Sequence, residues 1–282
     1  MTMALETKTN PTWCHGCGNY GILGALKGAI NELGLAPHNV LIVAGVGCHG
    51  HEPQWVNTYG FQTIHGRTLP LAQAAKLANH ELTVIAVAGD GDCLDEGMSH
   101  FIHACRRNID MTLLVHNNGV FGLTTGQTSP TSGKGFVSKS TPFGSPEQPV
   151  NALALALEAG ASFVGRGFAG DPKHLQELVV KAIKHRGFSL VEIFQPCVVW
   201  NKVNTYDFWR QNTYKLEGAG HNSSSREAAW RKSHEKEPWP LGVLYQTTTQ
   251  MFTDHLPQIA KQTLVKQPIG KIDIKPLLEE YS

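Results

Sequence analysis

The chain has 282 residues, 41% of them apolar and 17% charged, and a formal net charge of +1 at pH 7. That length buries a substantial core, enough for one or two domains. The near-neutral charge, without a basic run, argues against nucleic acid as the main partner, and no apolar stretch approaches a membrane span. The segment from Met1 to Glu6 lacks a signal-peptide core, so a soluble cytoplasmic protein is expected. Six cysteines, two of them in a CxxC, fit metal or redox chemistry better than a disulfide framework.

In chain order, residues 19–33 read as a helix stopped by Gly34. Residues 40–44 read as a strand, 69–78 as a helix, 82–88 as a strand, 95–107 as a helix and 111–115 as a strand. Residues 124–149 are rich in Thr, Ser, Gly and Pro and read as a long loop. Then follow a helix at 152–158, a strand at 162–165, a helix at 174–185 and a strand at 189–194. Strands alternating with helices predict an α/β fold, a doubly wound parallel sheet with both faces covered. From about residue 201 the pattern breaks, and Trp, Tyr, Pro and charged residues mix without a period. The chain therefore divides into an α/β domain over residues 1–200 and a C-terminal extension over 201–282, packing on the domain or on a partner. No internal repeat is visible.

The most informative stretch is Gly89-Asp90-Gly91-Asp92, at the end of an apolar strand, with Asn118 following 28 residues after Asp90. A second apolar strand ends just before Asn117. Two parallel strands would present a carboxylate and an amide at one carboxyl edge, where ligands of open α/β sheets bind. Those hard oxygens suit Mg²⁺, which usually also takes phosphate oxygens. The glycines let backbone N–H groups approach a diphosphate closely. A bare Gly-Asp-Gly is also a common turn; the spacing and the strand before each half make it a signal.

Cys14 and Cys17 form the CxxC of Trp13-Cys14-His15-Gly16-Cys17-Gly18, while Cys48 and Cys197 each follow a predicted strand. Cys48 and Cys197 thus fall on the edge that carries Asp90. Four thiolates converging there would bind Zn²⁺ or a [4Fe–4S] cluster. The residues alone leave both open, beside a plainer reading of a thioredoxin-like CxxC with core cysteines. Cys93 and Cys105 lie outside the set, and Cys105, in a predicted helix, reads as core. Gly45-Val46-Gly47-Cys48-His49-Gly50 matches GxGxxG, but no convincing helix follows it, which argues against a nucleotide site. His100 and His103 lie on one helix without a third ligand and read as ordinary helix positions.

The Gly-Asp-Gly with its later Asn pair resembles the diphosphate-binding motif of thiamine-diphosphate enzymes. The wider order resembles the β subunit of 2-oxoacid:ferredoxin oxidoreductases. It runs from Trp-Cys-x-Gly-Cys-Gly through Gly-x-Gly-Cys, His65-Gly66-Arg67 and Gly89-Asp90-Gly91-Asp92 to Gly122-Leu123-Thr124-Thr125-Gly126-Gln127, and spans Trp13 to Cys197. The resemblance implies a thiamine-diphosphate-binding sheet and a [4Fe–4S] cluster on Cys14, Cys17, Cys48 and Cys197. It places Mg²⁺ on Asp90, Asn118 and the Val120 carbonyl. Gly89 would also bind the cofactor, with Gly91 and Asp92 offering N–H groups, and Thr124 a hydroxyl, to its diphosphate. Leu123 would pack on the cofactor, against a competing reading as core, while Asn117 shapes the turn. His65 and Arg67 would face the active site, although an Arg there also reads as a surface ion pair.

The implied reaction is reversible, coenzyme-A-dependent oxidative decarboxylation of a 2-oxoacid, with electrons passing through the cluster to ferredoxin. An alpha subunit would supply the activating glutamate and complete an α2β2 assembly. The stretch from Asn57 to Arg67 resembles the 2-oxoglutarate branch more than the pyruvate branch. Two positions depart from the family. His49-Gly50-His51-Glu52 stands where relatives carry small hydroxyl or basic residues, and Thr125 where Lys is frequent. His49, His51 and Thr125 would face the substrate, and either histidine, or the partner, would supply a cation for a distal carboxylate. A solvated loop is the alternative for both histidines. The rival functions are a pyruvate-type enzyme, a non-redox thiamine decarboxylase or synthase, and a zinc-stapled scaffold without cofactor.

Overall fold

The structure, a computed structural model, describes residues 5–268, 270 and 273–281. Of the stretch read as lacking a signal-peptide core, only Leu5 and Glu6 fall within them. The strands are β1 (Val40–Ala44), β2 (Tyr59–Gln62), β3 (Thr83–Gly89), β4 (Met111–Asn117), the short pair β5 (Val120–Phe121) and β6 (Gln127–Thr128), β7 (Phe163–Phe168), β8 (Phe188–Phe194), β9 (Thr213–Lys215) and β10 (Trp239–Gln246). The helices are α1 (Asn19–Glu32), α2 (Thr68–Ala78), α3 (Met98–Arg107), α4 (Ala152–Glu158), α5 (Pro172–Lys184), α6 (Tyr206–Gln211), α7 (Arg226–His234) and α8 (Lys275–Glu279).

Eight strands form one sheet in the order β2-β1-β3-β4-β8-β7-β10-β9. Every neighbouring pair is parallel except β10 on β7. This is the doubly wound α/β sheet that the alternating pattern predicts. Successive residues of each central strand go to opposite faces. Ile85 and Val87 meet α1 and α5 on one side, while Val84, Ala86 and Ala88 meet α2, α3 and α4 on the other. Both faces are dry, so these strands are continuous apolar runs rather than alternating ones. Each fully buried Ile or Leu contributes about 1.5–3 kcal/mol, which fixes the central strands and their carboxyl ends.

Helix ends follow local chemistry. The Asn151 side chain accepts from the Ala154 N–H and opens α4; Asp171 accepts from the His174 N–H and opens α5, with Pro172 in its first turn. The predicted helix over 95–107 is two pieces. A π-turn over Asp92–Glu96 leads into α3 across Gly97, where a Cβ would stand 2.8 Å from the Asp92 carbonyl. Five strands go unread in the sequence: β2, the short pair β5 and β6, β9 and β10. All four residues of β2 are exposed at the sheet edge, so no burial period marks them. In the region after 201, β10 carries Pro240 and Gly242, the latter at φ 117°, and a bulge between Val243 and Tyr245. Through β10 and β9 that region adds two strands to the same sheet. Among the described residues no helix is long and apolar enough to cross a membrane.

Candidate active site

The sheet register assembles the site. Gly89 pairs with His116, so Asp90 emerges beside Asn117; Asn117 pairs with Phe194, so Asn118 emerges beside Gln195. Asp90 is 1% exposed, and its Oδ2 accepts from the Ser129 hydroxyl at 2.5 Å and from the Thr131 hydroxyl. Burial pushes its carboxyl up, and those two hydroxyls oppose the shift. Its hydrogen-bond partners include no basic side chain, a setting that a divalent cation would relieve. Asn118 donates from Nδ2 to Gln195 at 2.9 Å and accepts at Oδ1 from the Val120 N–H at 2.9 Å. An amide oxygen has two lone pairs, so one remains for a cation.

Asp90, Asn118 and Val120 line one cleft with Gly89, Gly91 and Asp92. At Gly91 a Cβ would stand 2.2 Å from the Phe121 ring, so only glycine lets the backbone form that wall. The Asp92 carboxylate is a hub. Its Oδ1 accepts from the Gly66 N–H at 2.8 Å and the Val46 N–H at 3.3 Å, and its Oδ2 from the Thr68 hydroxyl at 3.1 Å. Burial raises the Asp92 pKa, but His49 and the Gly66 amide outweigh it and the net shift is downward. A Cβ on Gly45 would lie 1.9 Å from Asp92 Oδ2. The Gly45–Gly50 loop therefore packs around this carboxylate, and a 3₁₀ turn over Cys48–Gln54 follows it in place of an α-helix.

Leu123 and Thr124 line the same cleft; Leu123 is 52% exposed there, which removes the reading as core. The Thr124 hydroxyl donates to Gln127 at 2.7 Å. His65 also lines it, with Nδ1 3.8 Å from Glu96. Arg67 does not. It is exposed, and its guanidinium donates to the Gly66 and Glu96 carbonyls. His49 lines the cleft but is 4% exposed, so it is no solvated loop residue, and its Nε2 accepts from the Gly89 N–H at 3.1 Å. His51 packs on Trp55 and pairs with Gln54. Thr125, at φ 79°, is exposed; neither His51 nor Thr125 reaches the lining. Glu52 is fully buried and neither of its carboxylate oxygens is hydrogen-bonded; His116 Nε2 stands 3.8 Å from one of them, and burial pushes the Glu52 pKa up to about 8.

The four outlying thiols meet at the same edge. Cys17 N–H closes a turn on the Cys14 carbonyl at 3.0 Å, through Gly16 at φ 78°. The Trp13 indole donates to the Cys48 carbonyl at 2.7 Å. Burial pushes the Cys17 thiol up to about 12, with Cys48, Cys197 and Cys14 adding to the rise; burial, Cys197 and Cys14 push Cys48 up to about 11. Each of these sulfurs thus sits in the field of the others. Among the described residues no three His, Cys, Asp or Glu close on a sphere the size of one metal ion. Cys48 itself lines the cleft of Asp90. Gly122 stands between the two sites: a Cβ there would be 3.6 Å from Cys48 Sγ, 3.8 Å from Cys197 Sγ and 3.9 Å from Asn118 Nδ2. Cys93 and Cys105 are buried in the core beside α3.

Residues 45–193 match the thiamine pyrophosphate enzyme, C-terminal TPP binding domain, and residues 197–261 match the C terminal of the pyruvate ferredoxin oxidoreductase beta subunit. A 2-oxoacid:ferredoxin oxidoreductase subunit beta of Sulfolobus sp is 39% identical, over 99% of both chains. The chain belongs to the beta subunits of the 2-oxoacid:ferredoxin oxidoreductases. The 2-oxoglutarate synthase subunit KorB of Archaeoglobus fulgidus is 40% identical, over 72% of this chain and 76% of its own. The fold also superposes, with a TM-score of 0.91 and 34% identity over 99% of this chain and 94% of the other, on a 2-oxoglutarate:ferredoxin oxidoreductase from Magnetococcus marinus with 2-oxoglutarate, coenzyme A and succinyl-CoA bound. Around the site of this beta subunit, Ser129, Thr131, Ser132 and Gln195 are functional candidates that motif reading passes over. The one trace of them in the sequence is the hydroxyl-rich run Ser129-Pro130-Thr131-Ser132 directly after β6.

Proposed function

We propose that this beta subunit is the cofactor- and cluster-bearing half of a 2-oxoglutarate:ferredoxin oxidoreductase, converting 2-oxoglutarate and coenzyme A to succinyl-CoA and CO₂ with two electrons passed to ferredoxin. The observation that carries the reading is Cys48 in the wall of the Asp90 cleft, with Cys197 across Gly122. A redox centre on these thiols would lie in contact range of a cofactor held by Asp90 and Asn118. The names of the relatives support the family's substrate class.

In this reading Asp90, Asn118 and the Val120 carbonyl hold Mg²⁺, and the Gly91 and Asp92 N–H groups with the Thr124 hydroxyl hold the diphosphate. Cys14, Cys17, Cys48 and Cys197 hold the [4Fe–4S] cluster. When bound, thiamine diphosphate would supply electron-sink chemistry and the cluster one-electron chemistry. Leu123 presents an apolar surface that keeps water from the reacting end of the cleft. His65 offers a polar wall beside it. His49, with Nε2 against the Gly89 N–H and 3.6 Å from Asp92 Oδ2, is held in the cleft wall as a positioned group. The cation for the distal carboxylate of 2-oxoglutarate then comes from the alpha subunit, which also supplies the activating carboxylate in an α2β2 assembly.

The test is anaerobic viologen reduction by the chain with and without its alpha subunit, using coenzyme A and either 2-oxoglutarate or pyruvate. The complex should prefer 2-oxoglutarate by about tenfold or more in kcat/KM, the scale of one well-formed charged contact. The loaded chain alone should be slower by about 10²–10⁴-fold, the usual contribution of a missing acid–base group. Equal turnover by the lone chain would contradict the shared site, and a preference for pyruvate would contradict the substrate.

A further inference from the structure

The loop at residues 129–132 touches both halves of the proposed Mg²⁺ ligand set. From one end, the Ser129 hydroxyl donates to Asp90 Oδ2 at 2.5 Å and the Thr131 hydroxyl donates to the same oxygen. From the other, the Ser132 hydroxyl donates at 2.6 Å to the carbonyl of Gly119, the residue between Asn118 and Val120. The Ser129 N–H closes the loop on Ser132 Oγ at 2.9 Å. Ser129 and Ser132 are buried, so water does not compete for these bonds.

The loop is in turn tied to the sheet. Thr131 Oγ1 lies 2.8 Å from Asn117 Oδ1 as well as beside Asp90. A hydroxyl has one proton, so Thr131 serves one of these acceptors at a time, and Ser129 keeps Asp90 supplied when Thr131 turns to Asn117. Asn117 is fixed by donating from Nδ2 to Glu192 Oε1 at 2.8 Å, and Glu192 accepts on its other oxygen from Arg166 Nε at 2.8 Å. Arg166 and Glu192 are buried and directly opposite one another on β7 and β8. The chain Arg166–Glu192–Asn117–Thr131–Asp90 therefore runs from the rigid middle of the sheet to a cleft wall. It passes the wall of a second cleft of about 770 Å³, whose lining includes Thr131, Asn117, Glu192 and Arg166 but none of the candidate cofactor ligands.

We infer that Ser129, Thr131 and Ser132 are positioning residues that clamp Asp90 to the Asn118–Val120 turn and so set the geometry of the metal site; this rests on the reading of Asp90, Asn118 and Val120 as Mg²⁺ ligands. Two hydroxyls on Oδ2, with no side-chain donor on Oδ1 among the described residues, fix which carboxylate oxygen is left for a cation. Mg²⁺ demands near-ideal geometry, so a freely rotating Asp90 would hold it poorly. Outer partners of ligating groups typically carry about 10–100-fold in metal affinity.

The experiment uses the complex of both subunits, stripped of Mg²⁺ and thiamine diphosphate. Binding of thiamine diphosphate is followed by equilibrium dialysis as Mg²⁺ is added, and cluster absorbance checks that each variant is folded. Thr131→Val and Ser129→Ala, measured singly, should each raise the half-saturating Mg²⁺ about 10–100-fold, with cluster content unchanged. Thr131→Ser, which keeps the hydroxyl, should bind as the unaltered complex does, and excess Mg²⁺ should restore kcat in Thr131→Val. Unaltered Mg²⁺ dependence in both hydroxyl deletions, while Asp90→Ala has lost binding, overturns the clamp alone. Unaltered binding in Asp90→Ala overturns the ligand set and the clamp with it.

Discussion

Gln195 ties Asn118 to Cys17: its Oε1 accepts from Asn118 Nδ2 at 2.9 Å, and its Nε2 donates to the Cys17 sulfur at 3.4 Å. One buried amide thus touches a proposed Mg²⁺ ligand with one end and a proposed cluster ligand with the other. Hydrogen bonds to cluster sulfurs stabilise the more negative, reduced state. Gln195→Met, close in shape but without the amide, should lower the cluster's reduction potential and weaken cofactor binding about tenfold. A potential titration followed by electron paramagnetic resonance, with a cofactor titration beside it, reads both effects. A change in neither would leave Gln195 as packing only.

Replacing Cys14, Cys17, Cys48 or Cys197 by Ser should each lower the iron content and the broad visible absorbance, because each thiolate is one corner of the cluster. Cys93→Ser and Cys105→Ser should leave iron unchanged, since both thiols are enclosed in the core on the α3 side. Full iron retention in Cys197→Ser would remove that residue from the ligand set.

Glu52 gives a pH signature. Its ordinary pKa of 4.5 rises to about 8 in the fold, driven by burial. Well below pH 4.5 the group is protonated in both states and costs nothing. Between 4.5 and 8 the unfolded chain releases its proton while the folded chain retains it, so stability falls as pH rises, and it levels off above the folded value. The loss is on the order of a few kcal/mol. Glu52→Gln should therefore melt higher than the unaltered protein at pH 8 and close to it near pH 5. Parallel melting curves of the two proteins across that range would show that Glu52 ionises normally in the fold.

Much of the fold was legible because the central strands are continuous apolar runs, a pattern that only two dry faces produce. The Asp90, Asn118 and Cys48 cleft was legible because each residue sits at the end of such a run. What escaped was either non-periodic or long-range. Pro240 and Gly242 disguise β10, and β2 has no buried face to mark it. Ser129 reaches Asp90 across 39 positions and Gln195 reaches Asn118 across 77, distances at which no local spacing signals contact. The motif places Arg67 facing the active site, yet the turn at Gly66 directs it to two carbonyls. The Asp92 carboxylate serves as a hub only because the loops at 46 and 66 fold back on it.

We infer that this one chain carries both a diphosphate-bound cofactor and an iron–sulfur cluster at one sheet edge. Iron, acid-labile sulfide, zinc and thiamine content, with a visible spectrum, measured on the anaerobically purified complex of both subunits, test it most directly. The expected result is a brown protein with about four irons per beta chain, about one thiamine diphosphate, and no stoichiometric zinc. That iron should be lost in Cys48→Ser and the thiamine in Asp90→Ala. A colourless complex holding one zinc per beta chain and no thiamine would contradict it.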